Sequence, residues 1–186
     1  EPGGRLVHPN DHVNAGQSSN DTFPSALHLA AAIEVTGTTL PGIGVLERSL
    51  AAKAAEFADA VTAGRTHLMD ATPVTLGQRF SGYAAQVENG MERLSDCTKR
   101  LSMLPMGGTA VGTGVNAIER FDSEVVSEIA LLTDHPYVPS PNKFEAMAAH
   151  DAVVEASGAL NTIAVGLNKI ASDIRLLSSG PRAGLG

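Results

Sequence analysis

Apolar residues recur in alternating steps of four and three along two long stretches of the chain. Leu76, Phe80, Tyr83, Val87, Gly90, Leu94, Cys97, Leu101 and Leu104 form one seam, kept over about four heptads. Ala146, Ala149, Val153, Ala156, Leu160, Ile163, Leu167, Ile170, Ile174 and Leu177 form the other, from an element opened by Ser140-Pro141-Asn142. At about 1.5 Å rise per residue, this last helix would approach 50 Å. Shorter helices are predicted from about Pro24 to Val35, Leu40 to Val61 and Ile118 to Thr133. Thr75-Leu76-Gly77-Gln78 has the spacing of a capping box. No alternating strand run stands out. The expected fold class is therefore all-α, an elongated bundle of long helices.

Polar loops punctuate these seams. Gln17-Ser18-Ser19-Asn20-Asp21-Thr22 gathers hydroxyls and amides before Phe23-Pro24, and proline suits the first position of a helix. The stretch reads as a loop delivering donors to a helix N-terminus, where free N–H groups and the macrodipole favour an anion such as a dicarboxylate. An over-capped helix with no ligand is the alternative. A second polar loop runs from Gly64 to Pro73 and carries Thr66 and His67. A third element, Gly107 to Gly114, lacks the lysine and the preceding strand of a phosphate-binding loop.

Composition narrows the chemistry. The 186 residues are 43% hydrophobic and carry a net charge of −7, which speaks against nucleic acid and anionic membrane surfaces as partners. No run of about 18 apolar residues appears, so no membrane span is expected. The lone Cys97 rules out an internal disulfide and fits a reducing compartment. His8, Asp11, His12 and Asp21 read as too irregularly spaced for a metal site, with no H-x-x-x-H or C-x-x-C expected among them, and no G-x-S-x-G occurs. Acid–base chemistry on an anionic molecule remains. His67 is the leading candidate, because an imidazole exchanges protons near neutral pH. His150-Asp151 reads as structural or interfacial, and His28 and His135 carry no motif. Cations are scarce near the polar loops: Arg5, Arg65 and Lys143 are the ones on offer.

Val7-His8-Pro9-Asn10-Asp11-His12-Val13-Asn14 and Gln17 to Asp21 closely resemble the corresponding stretch of class II fumarases. So do Gly64 to Gln78, Gly107 to Asn116, Asn142 to Ala146 and Glu155 to Leu160, so that the resemblance covers essentially the whole chain. Aspartases look similar but typically carry Gln where this chain has His67. The resemblance implies a fumarase/aspartase-like central domain, with residues 18–186 in the helical bundle and residues 1–17 ending an N-terminal domain. It implies reversible hydration of fumarate to L-malate without metal or organic cofactor, in the cytoplasm or a mitochondrial matrix.

Carried over by position, Ser18, Ser19, Asn20 and Thr66 match substrate contacts and His67 the catalytic histidine. Arg5, His8, Asn10 and Asp11 match a second dicarboxylate site. The resemblance further implies a homotetramer whose active sites draw on three chains, with Ser18 to Asn20 meeting His67 across subunits. The family's earlier threonine signature would precede Glu1. Its Gly-Ser-Ser base loop and lysine segment would follow Gly186. Taken as it stands, the polypeptide is therefore expected to be inactive alone, or to act only as a bundle-forming assembly fragment. An aspartase-type ammonia-lyase is the other alternative.

Overall fold

The computed structural model describes residues 7–180, and Arg5 lies outside them. A π-helical turn, Pro9–Val13, leads into α1 (Ser19–Glu34). A second π-helical turn, Val35–Thr39, joins α1 to α2 (Leu40–Glu56). Strands β1 (Val61–Thr66) and β2 (Met69–Thr75) precede α3 (Leu76–Leu101). Then come β3 (Met103–Leu104), α4 (Phe121–Thr133), β4 (Val138–Pro139), α5 (Lys143–Ala148) and α6 (Asp151–Leu177). Helix dominates, as the seams require, and the fold is all-α.

Four local expectations change. Helix α1 starts at Ser19, so Pro24 sits inside it rather than at its first position. The capping box of Ser18 and Asp21 starts the helix one and a half turns earlier than proline would. The polar stretch after α2 is not a loop but an antiparallel hairpin, with β1 and β2 paired from Val61↔Thr75 to Thr66↔Met69. The long last helix is two helices, because Ala149 is extended (φ −118, ψ 143). The His150 carbonyl then accepts the Val153 and Val154 N–H groups, which sets His150 at the start of α6 rather than inside it. Finally, the uninterrupted helical run Ser19–Glu56 reaches a mean hydropathy of 1.4 over 18 residues. By length and composition it could cross a bilayer, contrary to the expectation of no membrane span. Aliphatic residues such as Leu29, Ile33, Val35 and Ile43 raise the average even though Glu34 interrupts them.

The chain forms two compact units. One holds residues up to Val35 and Cys97–Ala156. Its core is built from Ala32, Leu101, Leu104, Val126 and Tyr137. Here β3 and β4 form a short parallel pair, Met103↔Val138 and Leu104↔Pro139. The other holds Thr36–Asp96 and residues from Ser157 onward. Its centre is Leu50, Tyr83, Ala84, Val87 and Ile170, with Ile43, Phe80 and Leu167 packed against them. Helices α3 and α6 approach closely at Gly90: a Cβ there would lie 2.9 Å from Ile163 Cγ1. The predicted Thr75–Gln78 box is present. Each residue's side chain accepts the other's backbone N–H at 3.0 Å, which starts α3 directly after β2.

Candidate functional site

In the first unit, Ser18 is extended (φ −139, ψ 156) and caps α1. Its Oγ accepts the Asn20 N–H at 3.2 Å, and its own N–H donates to Asp21 Oδ1 at 2.9 Å. Asp21, fully buried, has its second oxygen turned to the glycine loop, accepting Gly107 N–H at 3.1 Å and Thr109 N–H at 2.8 Å. Asn20 Nδ2 donates to the Ala110 carbonyl at 2.8 Å. The turn and the loop, some ninety residues apart, are thus tied by three hydrogen bonds.

A cleft of about 540 Å³ opens beside these ties. Ser19, Asn20 and Phe23 line one side, and Ala110, Val111, Phe144 and His150 the rest. The structure therefore brings Ser18, Ser19 and Asn20 together at one helix start. It also adds His150, expected from the sequence to be structural or interfacial; no spacing pattern marks that residue. The N-terminal N–H groups of α1 are not simply left open for an anion. One is taken by Ser18 Oγ, and the Asp21 carboxylate itself sits within the first turn. The cleft wall here consists of the exposed Ser19 and of Asn20, whose amide already donates one N–H to the Ala110 carbonyl.

Thr66 and His67 belong to the second unit, at the end of β1 and the tip of the hairpin. Both are exposed. His67 (φ 56) and Leu68 (φ 61) are the two left-handed residues that a tight two-residue turn demands, although neither is glycine. Such backbone costs of order 1–2 kcal/mol per residue. The hairpin shaft carries it: Arg65 pairs with Asp70 across the strands at 3.4 Å, and Arg79 Nη2 donates to the Ala63 carbonyl at 2.7 Å.

Asn10 and Asp11 lie in the exposed turn Pro9–Val13, and His8 caps it. His8 Nδ1 lies 3.1 Å from both the Asp11 N–H nitrogen and Asp11 Oδ2, so it accepts from the first when neutral and pairs with the second when protonated. His8 and His12 in fact stand four residues apart, a spacing that can place two imidazoles on one helical face. That amends the reading of these histidines as irregularly spaced. His12 Nδ1 is engaged, accepting the His8 N–H at 2.8 Å. Among the described residues, no group of three or more His, Cys, Asp or Glu side chains could hold a metal ion.

Among the described residues, the candidate cations Arg65 and Lys143 are both partnered. Lys143 Nζ lies 2.5 Å from Asp122 Oδ2, beside a cavity of about 300 Å³ lined by Gly107, Gly112, Gly114 and Phe121. The Lys143 hydrogen bond holds the Asp122 carboxyl below its ordinary range. His28 is buried and bonds the Met103 carbonyl through Nδ1 at 3.0 Å; burial lowers its pKa.

Compared with known proteins, the chain matches the family described as lyase over residues 1–186. It is 57% identical to the mitochondrial fumarate hydratase of Dictyostelium discoideum over 98% of this chain and 38% of the relative. It is 58% identical to the human mitochondrial fumarate hydratase over 97% of this chain and 35% of the relative. The chain thus spans little more than a third of the curated relatives it matches. Among solved structures, a class II fumarase from Schistosoma mansoni superposes with a TM-score of 0.92 at 41% identity, covering 97% of this chain and 41% of that one. A fumarate lyase:delta crystallin from Brucella melitensis gives 0.90 at 40% identity, covering 97% and 39%.

Proposed function

The chain belongs to the lyase family that it matches from its first residue to its last, and from that membership we propose that it is the central part of a class II fumarase. In the whole protein it would take part in the reversible hydration of fumarate to L-malate. The observation that carries this reading is the identity of more than half its residues with proteins named fumarate hydratase.

The local chemistry supports the reading. Fumarate is a rigid dicarboxylate, and an anion at the start of α1 would meet the Ser18 and Ser19 hydroxyls and the Asn20 amide. Adding or removing water next to a carboxylate builds extra charge on that carboxylate, and fixed donors stabilise it. Thr66 would contact substrate, and His67 would exchange the proton of the water or hydroxyl. Both stand on an exposed tip, as a group offered to another subunit must. We assign Arg5, His8, Asn10 and Asp11 to a second dicarboxylate site on the same grounds of family position.

The assembly in this reading is a homotetramer. The apolar surface of the Ser19–Glu56 helical run, including Ile33, Val45 and Leu46, would be covered by neighbouring subunits rather than by a bilayer. Nucleic acid has no place in it. The compartment is the cytoplasm or the mitochondrial matrix.

The test is a hydratase assay on the full-length parent, following fumarate consumption and malate formation by ultraviolet absorbance. Turnover of fumarate supports the assignment. Release of ammonia from L-aspartate in its place would move the protein to the aspartases. The isolated 186-residue chain should form oligomers without turnover.

A further inference from the structure

Asp21 is the most deeply buried acid of the first unit, and the reaction outlined above does not use it. Its carboxylate accepts three backbone N–H groups: one from Ser18 and two from the glycine loop, at Gly107 and Thr109. The loop residues it holds are in unfavourable conformations. Gly107 has φ +88, and a Cβ there would meet Asp122 Cβ at 2.5 Å. Thr109 has φ 57, and its buried hydroxyl has no hydrogen-bond partner among the described residues. A buried β-branched residue keeps such a backbone only where surrounding structure imposes it. The two N–H bonds to Asp21 are that imposition. One residue further on, the same loop turns the Ala110 carbonyl to Asn20 Nδ2. That bond fixes which way the Asn20 amide faces at the cleft wall.

We propose that Asp21 is a positioning residue, which clasps the Gly107–Ala110 loop and so presets the Asn20 amide for the substrate carboxylate. This rests on the fumarase reading for the identity of the substrate, while the clasp itself stands apart from it. The chemistry is selective. In Asp21→Asn one of the two acceptor oxygens becomes a donor. Whichever way the new amide is turned, a donor then faces a backbone N–H, either at Ser18 or at the loop. Charge-assisted acceptance of several N–H groups is lost at the same time.

The experiment is a double-mutant cycle on the full-length tetramer, with Asp21→Asn, Asn20→Ala and the pair. Asp21→Asn should lower kcat/KM for malate about 10–100-fold, the scale expected when a reacting group is misplaced by about an ångström. In the Asn20→Ala background the same change should cost less than about threefold, because the residue it acts through is gone. Equal losses in both backgrounds would mean a general structural role and would overturn the proposal. So would an Asp21→Asn enzyme within about threefold of the parent.

Hydrogen exchange followed by mass spectrometry gives a readout independent of turnover. In the unsubstituted parent, peptides covering residues 17–25 and 105–112 should exchange at matched rates, as one clasped unit. Asp21→Asn should speed the loop peptide at least tenfold. A loop that already exchanges a hundredfold faster than the α1 start in the parent refutes the clasp, even if the variant does not fold. A parent that hydrates no fumarate but shows matched exchange would sink the fumarase reading and leave the clasp standing.

Discussion

The start of α1 and the tip of the β1–β2 hairpin carry the two groups of candidate residues, and they are built in opposite ways. Ser18 to Asn20 sit on a turn locked by a capping box, a buried carboxylate and ties to a distant loop. Thr66 and His67 sit at an exposed two-residue turn, whose strain is borne by the strand pairing behind it. The first group is organised by its own chain. The second is presented outward, exposed at the hairpin tip. A binding platform benefits from rigidity at low entropic cost, whereas a group that must reach a neighbouring surface has to project from its own.

The largest effect expected to test this contrast is at the hairpin tip. In the full-length parent, His67→Asn should reduce kcat about 10²–10⁴-fold, the usual worth of a general acid–base group, while the proposed tetramer stays intact by sedimentation. Near-normal malate formation would remove His67 from the chemistry. At the α1 start, Ser18→Ala removes the cap as well as a proposed substrate contact. It should cost about 1 kcal/mol of stability, read as a lower midpoint in urea unfolding. A midpoint unchanged within error would mean that the Asp21 clasp holds the turn without the cap.

Leu68→Gly addresses the strain directly. Relief of the left-handed backbone should outweigh the flexibility added to the unfolded chain, raising stability by roughly 0.5 kcal/mol. A fall in melting temperature would show that the Leu68 side chain is needed at the tip.

The smallest expected effect is pH dependence within the first unit. Burial lowers the His28 pKa. The unfolded chain therefore binds more protons than the folded one between the depressed folded value and the ordinary value near 6.5. Its contribution to stability is present above about pH 6.5 and is lost as pH falls through the folded pKa. His28→Gln should flatten the melting temperature over that acidic range. A profile identical to that of the parent would remove His28 as its source.

Particular residues show what was legible in the sequence. Tyr83, Val87, Leu94, Cys97 and Leu101 are buried at the positions their spacing predicts, because a helical face needs only local periodicity to be recognised. The Thr75–Gln78 box was equally readable, since both partners lie within one turn. Pro24 misleads, because a proline at a helix start is common but the competing capping box three to six residues earlier is stronger. The hairpin was missed for a different reason. Gly64, Pro73 and the polar residues between them show no alternation, and the turn residues His67-Leu68 lack the Asn-Gly or Asp-Gly signature. The break at Ala149 was hidden by apolar spacing that runs on across it.

The sequence by itself determined the long helices, their apolar seams, the caps and the stretches that carry the family resemblance. Each of these is written in residues a few positions apart. Only the tertiary structure decided that Asp21 is a buried clasp, that Asn20 faces Ala110, that His150 joins the cleft and that His67 stands on a strained tip. The first three depend on hydrogen bonds and packing between segments scores of residues apart, and the last on a hairpin whose strands pair only from Val61↔Thr75 inward. Chain folding alone brings such segments together, and no local pattern records which donor will meet which acceptor.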